Sequence, residues 1–463
     1  MASEASQTMS LKILVEKEKN RIVFVEANKD FVDVLFSFLT VPLGTIVRLT
    51  REHFLKGEIG CLNNLYESLE KFDEDFLSSE HKGVLLHPRC ATDVYCRDLK
   101  VNLVECNKSK YYVCQGERCD VVSYDQNDSC PCGKALHYEL NFLNPVPEGG
   151  CGFVKPTVHF MITDDFQVLP TSTMAGLSLL GNFGELDGSK IEERLLNIGK
   201  DEVLKLLKCS LASRTPFSDS ILEPRFSRTK PMINYGQYGP RMMNLSQRDV
   251  DTRNKDEKIN LKLIVNRSNN RALYAEVEEN FVNLLCSFLL FPIGYIFKEF
   301  PYLSFMGCLG NLYKSVQDFD VNKFFKSEEM KAILLDPKLA PGTSCDNKLI
   351  GEAENLSFST LSSLFDIDLI DLSSESPPRK VKIGGGLVKG PSMFMVTDSL
   401  SIAPLSPISG IFLINRLKVP LSNVHELEVT MGEEETLRLL VASLVSRSAL
   451  TDAFVLKETK QET

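Results

Sequence analysis

The chain has 463 residues, 43% of them hydrophobic and 25% charged, with a formal net charge of −10 and a pI near 5.4. This is an ordinary globular composition. Its acidic balance argues against general polyanion binding, which needs a clustered positive field.

The first ten residues, MASEASQTMS, have no apolar core, and Glu4, Glu16 and Glu18 precede or flank the only early arginine, Arg21. Neither a secretory nor a transit signal is expected. The first predicted element is a β-hairpin in LKILVEKEKNRIVFVEA, where alternating apolar residues flank a polar turn at Lys19-Asn20. A helix follows, with Phe31, Val34, Leu35 and Phe38 at i, i+3, i+4 and i+7, Asn28 as N-cap and Pro42 as terminator.

The same text recurs 250 residues later. Leu11–Ile46 and Leu261–Ile296 are identical at 15 of 36 positions without a gap, where roughly two are expected by chance at residue frequencies of about 6%. The match continues in GCLNNLYESL (Gly60–Leu69) against GCLGNLYKSV (Gly307–Val316), then VLLHP (Val84–Pro88) against ILLDP (Ile333–Pro337). It resumes in VKPTVHFMITD (Val154–Asp164) against VKGPSMFMVTD (Val388–Asp398), read as a strand, a turn and a strand ending at Pro170 or Pro404. An apolar helix around Gly176 or Gly410 and a closing amphipathic helix, Glu202–Arg214 or Glu435–Arg447, complete each copy.

These elements predict an α+β fold in tandem duplication. Each copy has a β-hairpin, then helices, then a second strand-helix block, and each of roughly 200 residues is long enough for its own core. The first copy spans 8–214 and the second 259–455; Thr215–Lys258, rich in Pro, Ser, Arg, Asn and Gln, is read as a linker or mobile arm. The most apolar run, Phe281–Phe297, contains Asn283 and Pro292 and is read as a buried helix and turn rather than a membrane span. No membrane association is expected, and a cytoplasmic or nuclear location is. In that reducing setting the 13 cysteines imply thiols or metal rather than disulfides.

The sharpest chemical signal is YYVCQGERCDVVSYDQNDSCPCG. Cys114 and Cys119 form C-x4-C; Cys130 and Cys132 form C-x-C, followed by Gly133. Two close thiolate pairs joined by a short polar loop can close a tetrahedral structural zinc site, a small zinc-ribbon-like loop at 106–133. Tyr111–Val113 read as a strand leading into it. Unligated thiols, a disulfide or redox chemistry are the alternatives, and Cys90, Cys96, Cys106 and Cys151 are nearby substitutes at irregular spacing. A four-thiolate site leaves no open position for catalysis.

Copy two lacks this motif. In its place lies a segment whose core, IDLIDLSSES, resembles the short strands that dock on SUMO; Ile367, Leu369, Ile370 and Leu372 would pair, and Ser376 before proline suits phosphorylation. An ordinary strand and loop is the plainer reading. The glycines of Glu148–Lys155 and Gly384–Lys389 lack phosphate-loop spacing. Thr163-Asp164 and Thr397-Asp398 suit hairpin turns. Cys61 and Cys308 repeat without a repeated histidine, so packing is favoured over nucleophilic catalysis.

Taken together, LKILVEKEKNRIVFVEANKDFVDVLFSFLTVPLGTIVRL, GCLNNLYESL, the CPCG cysteines and FMITDDFQVLPTSTMAGLSLL resemble a plant family known only as a domain of unknown function, number 674 in its series. The resemblance runs through nearly the whole chain in two tandem units. It implies a plant source and an intracellular location, and no established activity or catalytic residue.

No catalytic constellation recurs in both copies. The expected function is therefore a non-enzymatic interaction or scaffold module with one structural zinc, held by Cys114, Cys119, Cys130 and Cys132, and an unknown protein partner. The alternative is an enzyme or small-molecule-binding protein with its site between the copies. Nucleic-acid binding through the cysteine loop is disfavoured by the acidic balance.

Overall fold

The computed structural model describes residues 8–53, 59–90, 92–103, 110–113, 122–123, 132–135, 138–141, 150–181, 188–222, 258–299, 308–339, 387–390 and 392–455. The first half runs β1 (Met9–Glu16), β2 (Arg21–Ala27), α1 (Lys29–Ser37), α2 (Leu43–His53), α3 (Leu62–Lys71), α4 (Ser79–Leu86) and α5 (Asp93–Cys96). It continues through β3 (Lys110–Val113), β4 (Val122–Ser123), β5 (Tyr138–Asn141), β6 (Phe160–Thr163), β7 (Val168–Pro170), α6 (Thr173–Gly181), β8 (Ile191–Ile198), α7 (Lys200–Ala212) and α8 (Pro216–Ile221). The second half runs β9 (Ile259–Asn266), β10 (Arg271–Glu278), α9 (Glu279–Phe288), α10 (Ile293–Glu299), α11 (Leu309–Asp318), α12 (Val321–Phe324) and α13 (Glu328–Leu335). It ends with β11 (Met393–Thr397), β12 (Ile402–Pro404), α14 (Pro407–Arg416), β13 (Val424–Met431), α15 (Glu433–Val445) and a π-helical turn at Thr451–Val455.

Mixed α and β structure is found as expected, in two antiparallel five-stranded sheets of matching order, β7-β6-β2-β1-β8 and β12-β11-β10-β9-β13. Both hairpins form where alternation placed them. Met9, Leu11, Ile13 and Val15 face inward, as do Ile259, Leu261, Leu263 and Val265. Asn20 and Asn270 take the positive φ, 49° and 48°, that closes the turns. The edge strands β8 and β13 escape sequence reading. Glu192, Glu193 and Arg194 in one, and Glu426 and Glu428 in the other, mask their periodicity, and charge on an edge strand discourages pairing with foreign strands.

The halves do not have separate cores, which corrects the expectation of one core per copy. A single contiguous apolar core draws on both, because each half sends its α3–α4 or α11–α13 segment onto the other half's sheet. Phe72 stacks on Phe394 at 5.9 Å, and Phe319 on Phe160 at 5.7 Å. Ser68 Oγ accepts the N–H of Ile402 at 2.9 Å, and Ser315 Oγ that of Val168 at 3.0 Å. Asn64 donates to the carbonyl of Ser399, and Asn311 to that of Asp165. The crossing point is the pair of prolines read as helix terminators. Pro42 and Pro292 lie opposite each other in an antiparallel bridge, with Leu43 N–H on Phe291 O and Ile293 N–H on Val41 O.

Cysteine closes each exchange. The N–H of Cys61 donates to Ser443 O at 2.8 Å and its thiol to Ser446 O at 3.0 Å. The N–H of Cys308 donates to Ser210 O at 3.0 Å and its thiol to Ser213 O at 3.1 Å. Ser446 and Ser213 are the C-caps of α15 and α7, so each half satisfies carbonyls that the other's long amphipathic helix leaves open. Gly60, at φ +49°, lets the chain approach: a Cβ there would sit 2.6 Å from the Leu444 carbonyl carbon.

The expected arm begins too early at Thr215. Pro216–Ile221 is the helix α8, and Phe217 is fully buried between Phe31 and Phe166. The first half therefore extends through Leu222. Among the described residues no helix is long and apolar enough to cross a membrane; Phe281–Phe297 is the buried helix expected, but past the turn at Pro292 it continues into a second buried helix, α10, where only a turn is expected.

A protease site engineered between Leu222 and Lys258 tests the exchange. After cleavage the two fragments should co-elute as one particle and unfold in one transition; fragments that separate without denaturant would contradict it.

Candidate functional site: a charged seam between the halves

The exchange creates two equivalent seams, where the strand-like segment before β6 or β11 lies against the other half. In the first, Val154 bridges Phe325 and Lys155 N–H donates to Phe324 O at 2.9 Å. In the second, Leu77 bridges Val388 and Lys389 N–H donates to Phe76 O at 2.8 Å. One backbone scaffold thus carries two sets of side chains.

The first seam is built on α1. Its N-cap, Asn28, accepts the N–H of Phe31, which fixes Lys29 and Asp33 on one face, one turn apart. Lys29 Nζ meets Asp33 Oδ2 at 2.6 Å. Asp33 is fully buried, and its Oδ1 accepts the N–H groups of Phe153 at 2.6 Å and Val154 at 3.0 Å. Gly152, at φ +85°, makes room, since a Cβ would lie 2.7 Å from Asp33 Cγ. Lys326 enters from the second half and donates to the carbonyls of Gly150 at 3.0 Å and Cys151 at 2.6 Å.

Burial pushes the Asp33 carboxyl upward, against the pull of Lys29 and the two backbone N–H groups. Burial lowers Lys326, helped by Lys29, while Asp33 opposes the shift. Beside this cluster a cleft of about 390 Å³ opens between the halves, lined by Lys155, Val321, Asn322, Phe325, Lys326, Ser327 and Glu328.

The second seam keeps the shape and changes the charge. Asn283 replaces Asp33 and accepts the N–H of Val388 at 2.8 Å. Glu279 replaces Lys29 and accepts the N–H of Ser392 at 3.3 Å.

The residues singled out from sequence fall elsewhere. β3 ends immediately before Cys114, as expected, and pairs with β4 and β5. Cys132 is exposed, and Gly133 beside it has φ +81°. Cys114, Cys119, Cys130 and Cys106 lie outside the described residues, as do Ile367, Leu369, Ile370, Leu372 and Ser376. Among the described residues no group of three or more His, Cys, Asp or Glu is placed to hold a metal. Burial pushes the Cys61 thiol up to about 12 and raises Cys308 as well. Both favour the thiol form, which suits a helix cap and not a nucleophile.

Thr163-Asp164 and Thr397-Asp398 do more than turn a hairpin. Asp164 accepts the N–H of Ser218 at 2.9 Å and its hydroxyl at 2.6 Å, and Arg21 lies alongside. Asp398 accepts the same groups of Thr451, at 2.8 and 2.9 Å. Each hydroxyl in turn accepts an N–H from the hairpin, Ile22 or Ala272. These aspartates anchor the last helical turn of each half.

Fold and site together define an α+β protein of two interlocked antiparallel sheets with a polar cleft at one junction. The chain belongs to the family described as Protein of unknown function (DUF674), whose model matches residues 5–434. No curated protein and no solved structure gives a match.

Two outcomes follow from this site. Asp33→Ala should cost about 3 kcal/mol in denaturant unfolding, because it strands two buried N–H groups and the lysines. Asp33→Asn should cost about 1 kcal/mol, since the second seam works with an amide; equal losses would contradict the assigned role. The second outcome concerns pH. Burial pushes Asp164 and Asp93 up to about 6, above the roughly 3.9 of an unfolded chain. Their stabilising contribution is therefore present below about pH 4 and lost as pH rises through about 6. The stability gain between pH 7 and 5 should be smaller in Asp164→Asn than in the wild type, and an unchanged gain would refute this.

Proposed function

We propose that this protein is a non-enzymatic interaction module, built by tandem duplication, that presents apolar helix faces to a protein partner in the cytoplasm or nucleus. One observation carries the reading. α14 covers its sheet with Gly410, Leu413 and Ile414, the glycine seated over Tyr274. Its opposite face turns Ile408, Ile411 and Phe412 outward at i, i+3 and i+4, with Phe412 69% exposed. α6 repeats the arrangement, with Gly176 above Phe24 and Met174 and Leu177 outward. Grouped apolar side chains of this size on a water-facing helix suit partner binding.

Within this reading Cys114, Cys119, Cys130 and Cys132 hold one structural zinc that fixes the cysteine loop, as supported by their spacing and by the strand that enters it. A contact through Ile367, Leu369, Ile370 and Leu372, or through phosphorylated Ser376, would add a second, regulated docking point. The cleft between the halves supports the rival reading, a small-molecule-binding protein with its site at that junction.

Affinity capture with the full chain tests the first reading. Ile408→Ser/Phe412→Ser should lose a partner retained by the wild type while keeping the same unfolding midpoint; an unchanged partner set would refute the docking role of α14. Metal analysis of the same preparations should find about one zinc per chain, lowered by Cys130→Ser.

A further inference from the structure

We propose that the cleft of the first seam binds a small phosphorylated polyol, such as a sugar phosphate, through Lys155 and Lys326. The second seam acts as an internal control for what the fold itself requires. Both seams have a lysine at the same place in the scaffold, with Lys155 Nζ donating to Asn322 O and Lys389 Nζ to Glu74 O. The fold therefore accounts for that lysine and its carbonyl contact.

Around it the two seams differ in net charge: the first gains Lys29 and Lys326 and lacks a glutamate, which outweighs its own Asp33 in place of Asn283 and Glu328 in place of Ser79. Where the second seam has Glu74 the first has Asn322; where the second has Glu279 the first has Lys29. Lys326 is an addition. Leu77 and the helix cap Ser78 are adjacent in one segment, while Phe325 and the cap Ser327 in the other are separated by Lys326. Its Nζ contacts two backbone carbonyls, and Lys29 and Lys326 both face Asp33. Among the described residues the second seam closes through Asn283, Val388 and Lys389 without these changes. They convert an acidic junction into a cationic one beside an open cleft.

The lining defines the ligand. Lys155 and Lys326 supply two ammonium groups from opposite halves, which suits the separated oxygens of a phosphoryl group. The first turn of the eight-residue α13 begins at the cleft, with Ser327 as its cap, and adds the positive end of a helix dipole. Glu328 also lines the cleft. A carboxylate there repels a second anionic group and accepts from a hydroxyl, which favours a hydroxylated monophosphate over a polyphosphate. A cleft of about 390 Å³ is of the size that holds such a molecule.

Isothermal titration of the full chain with glucose 6-phosphate, glucose and inorganic phosphate, at matched ionic strength, tests this. Glucose 6-phosphate should bind more tightly than inorganic phosphate, and glucose should not bind. Lys326→Met should weaken binding about tenfold, and Lys155→Met should do the same. Lys389→Met, in the second seam, should leave it within twofold. Lys326→Met should fold, because the other seam has no lysine there; if its unfolding midpoint falls, Lys155→Met decides. Absence of phosphate-dependent binding, or equal losses in Lys155→Met and Lys389→Met, would overturn the proposal. This site is separate from the outward face of α14, so its failure would leave the interaction reading standing.

Discussion

The closure of α15 and α7 by a cysteine from the other half is the contact on which the rest of the structure depends. A helix leaves its last carbonyls without intrahelical partners, and a buried end must find donors elsewhere. Here the donors for α15 come from Cys61 and those for α7 from Cys308. Neither half supplies these donors for its own helix. Once these contacts form, α3 and α11 lie across the foreign sheets, and Phe72 and Phe319 fill the space beneath Phe394 and Phe160. The core then spans both halves as one body, which makes cooperative unfolding the natural expectation.

A scaffold built twice can hold two chemistries. The two seams share a bridge and a lysine N–H contact, so what the fold visibly holds in common is a bulky residue, a lysine and an acceptor at the position of Asp33 or Asn283. Within that freedom the first seam has gathered cations and a buried carboxylate, next to the segment that follows the cysteine loop. The second has kept acids. Electrostatic content therefore varies where packing does not, which is the pattern expected when one junction has taken on a task the other lacks.

Much of the fold was legible in the sequence because it rests on short-range rules. Period-two alternation and asparagine turns gave both hairpins, and period-3.6 stripes gave α1, α9, α7 and α15. What escaped was long-range. The repeated Cys61 and Cys308 read as small packing residues because local pattern carries no record of which half supplies their partner. The same holds for Asp164 and Asp398, whose turn chemistry is visible and whose helix-anchoring role needs the distant Ser218 and Thr451. α8 reads in sequence as the start of an arm, since Pro216 and flanking Ser and Thr outweigh a single Phe217. The seam had one faint signal, the difference of Asp33 from Asn283 and of Lys29 from Glu279 at positions otherwise held in common.

The exchange of segments can be tested by a cross-link. Leu77 faces Val388 of the other half across an antiparallel bridge, and opposed residues of such a pair lie within disulfide reach. Val154 holds the matching place in its own half. In full-length protein carrying Leu77→Cys and Val388→Cys, mild oxidation should join these two positions. In protein carrying Leu77→Cys and Val154→Cys it should not. The reverse outcome would place α3 and α4 on their own sheet and contradict the interlocked architecture.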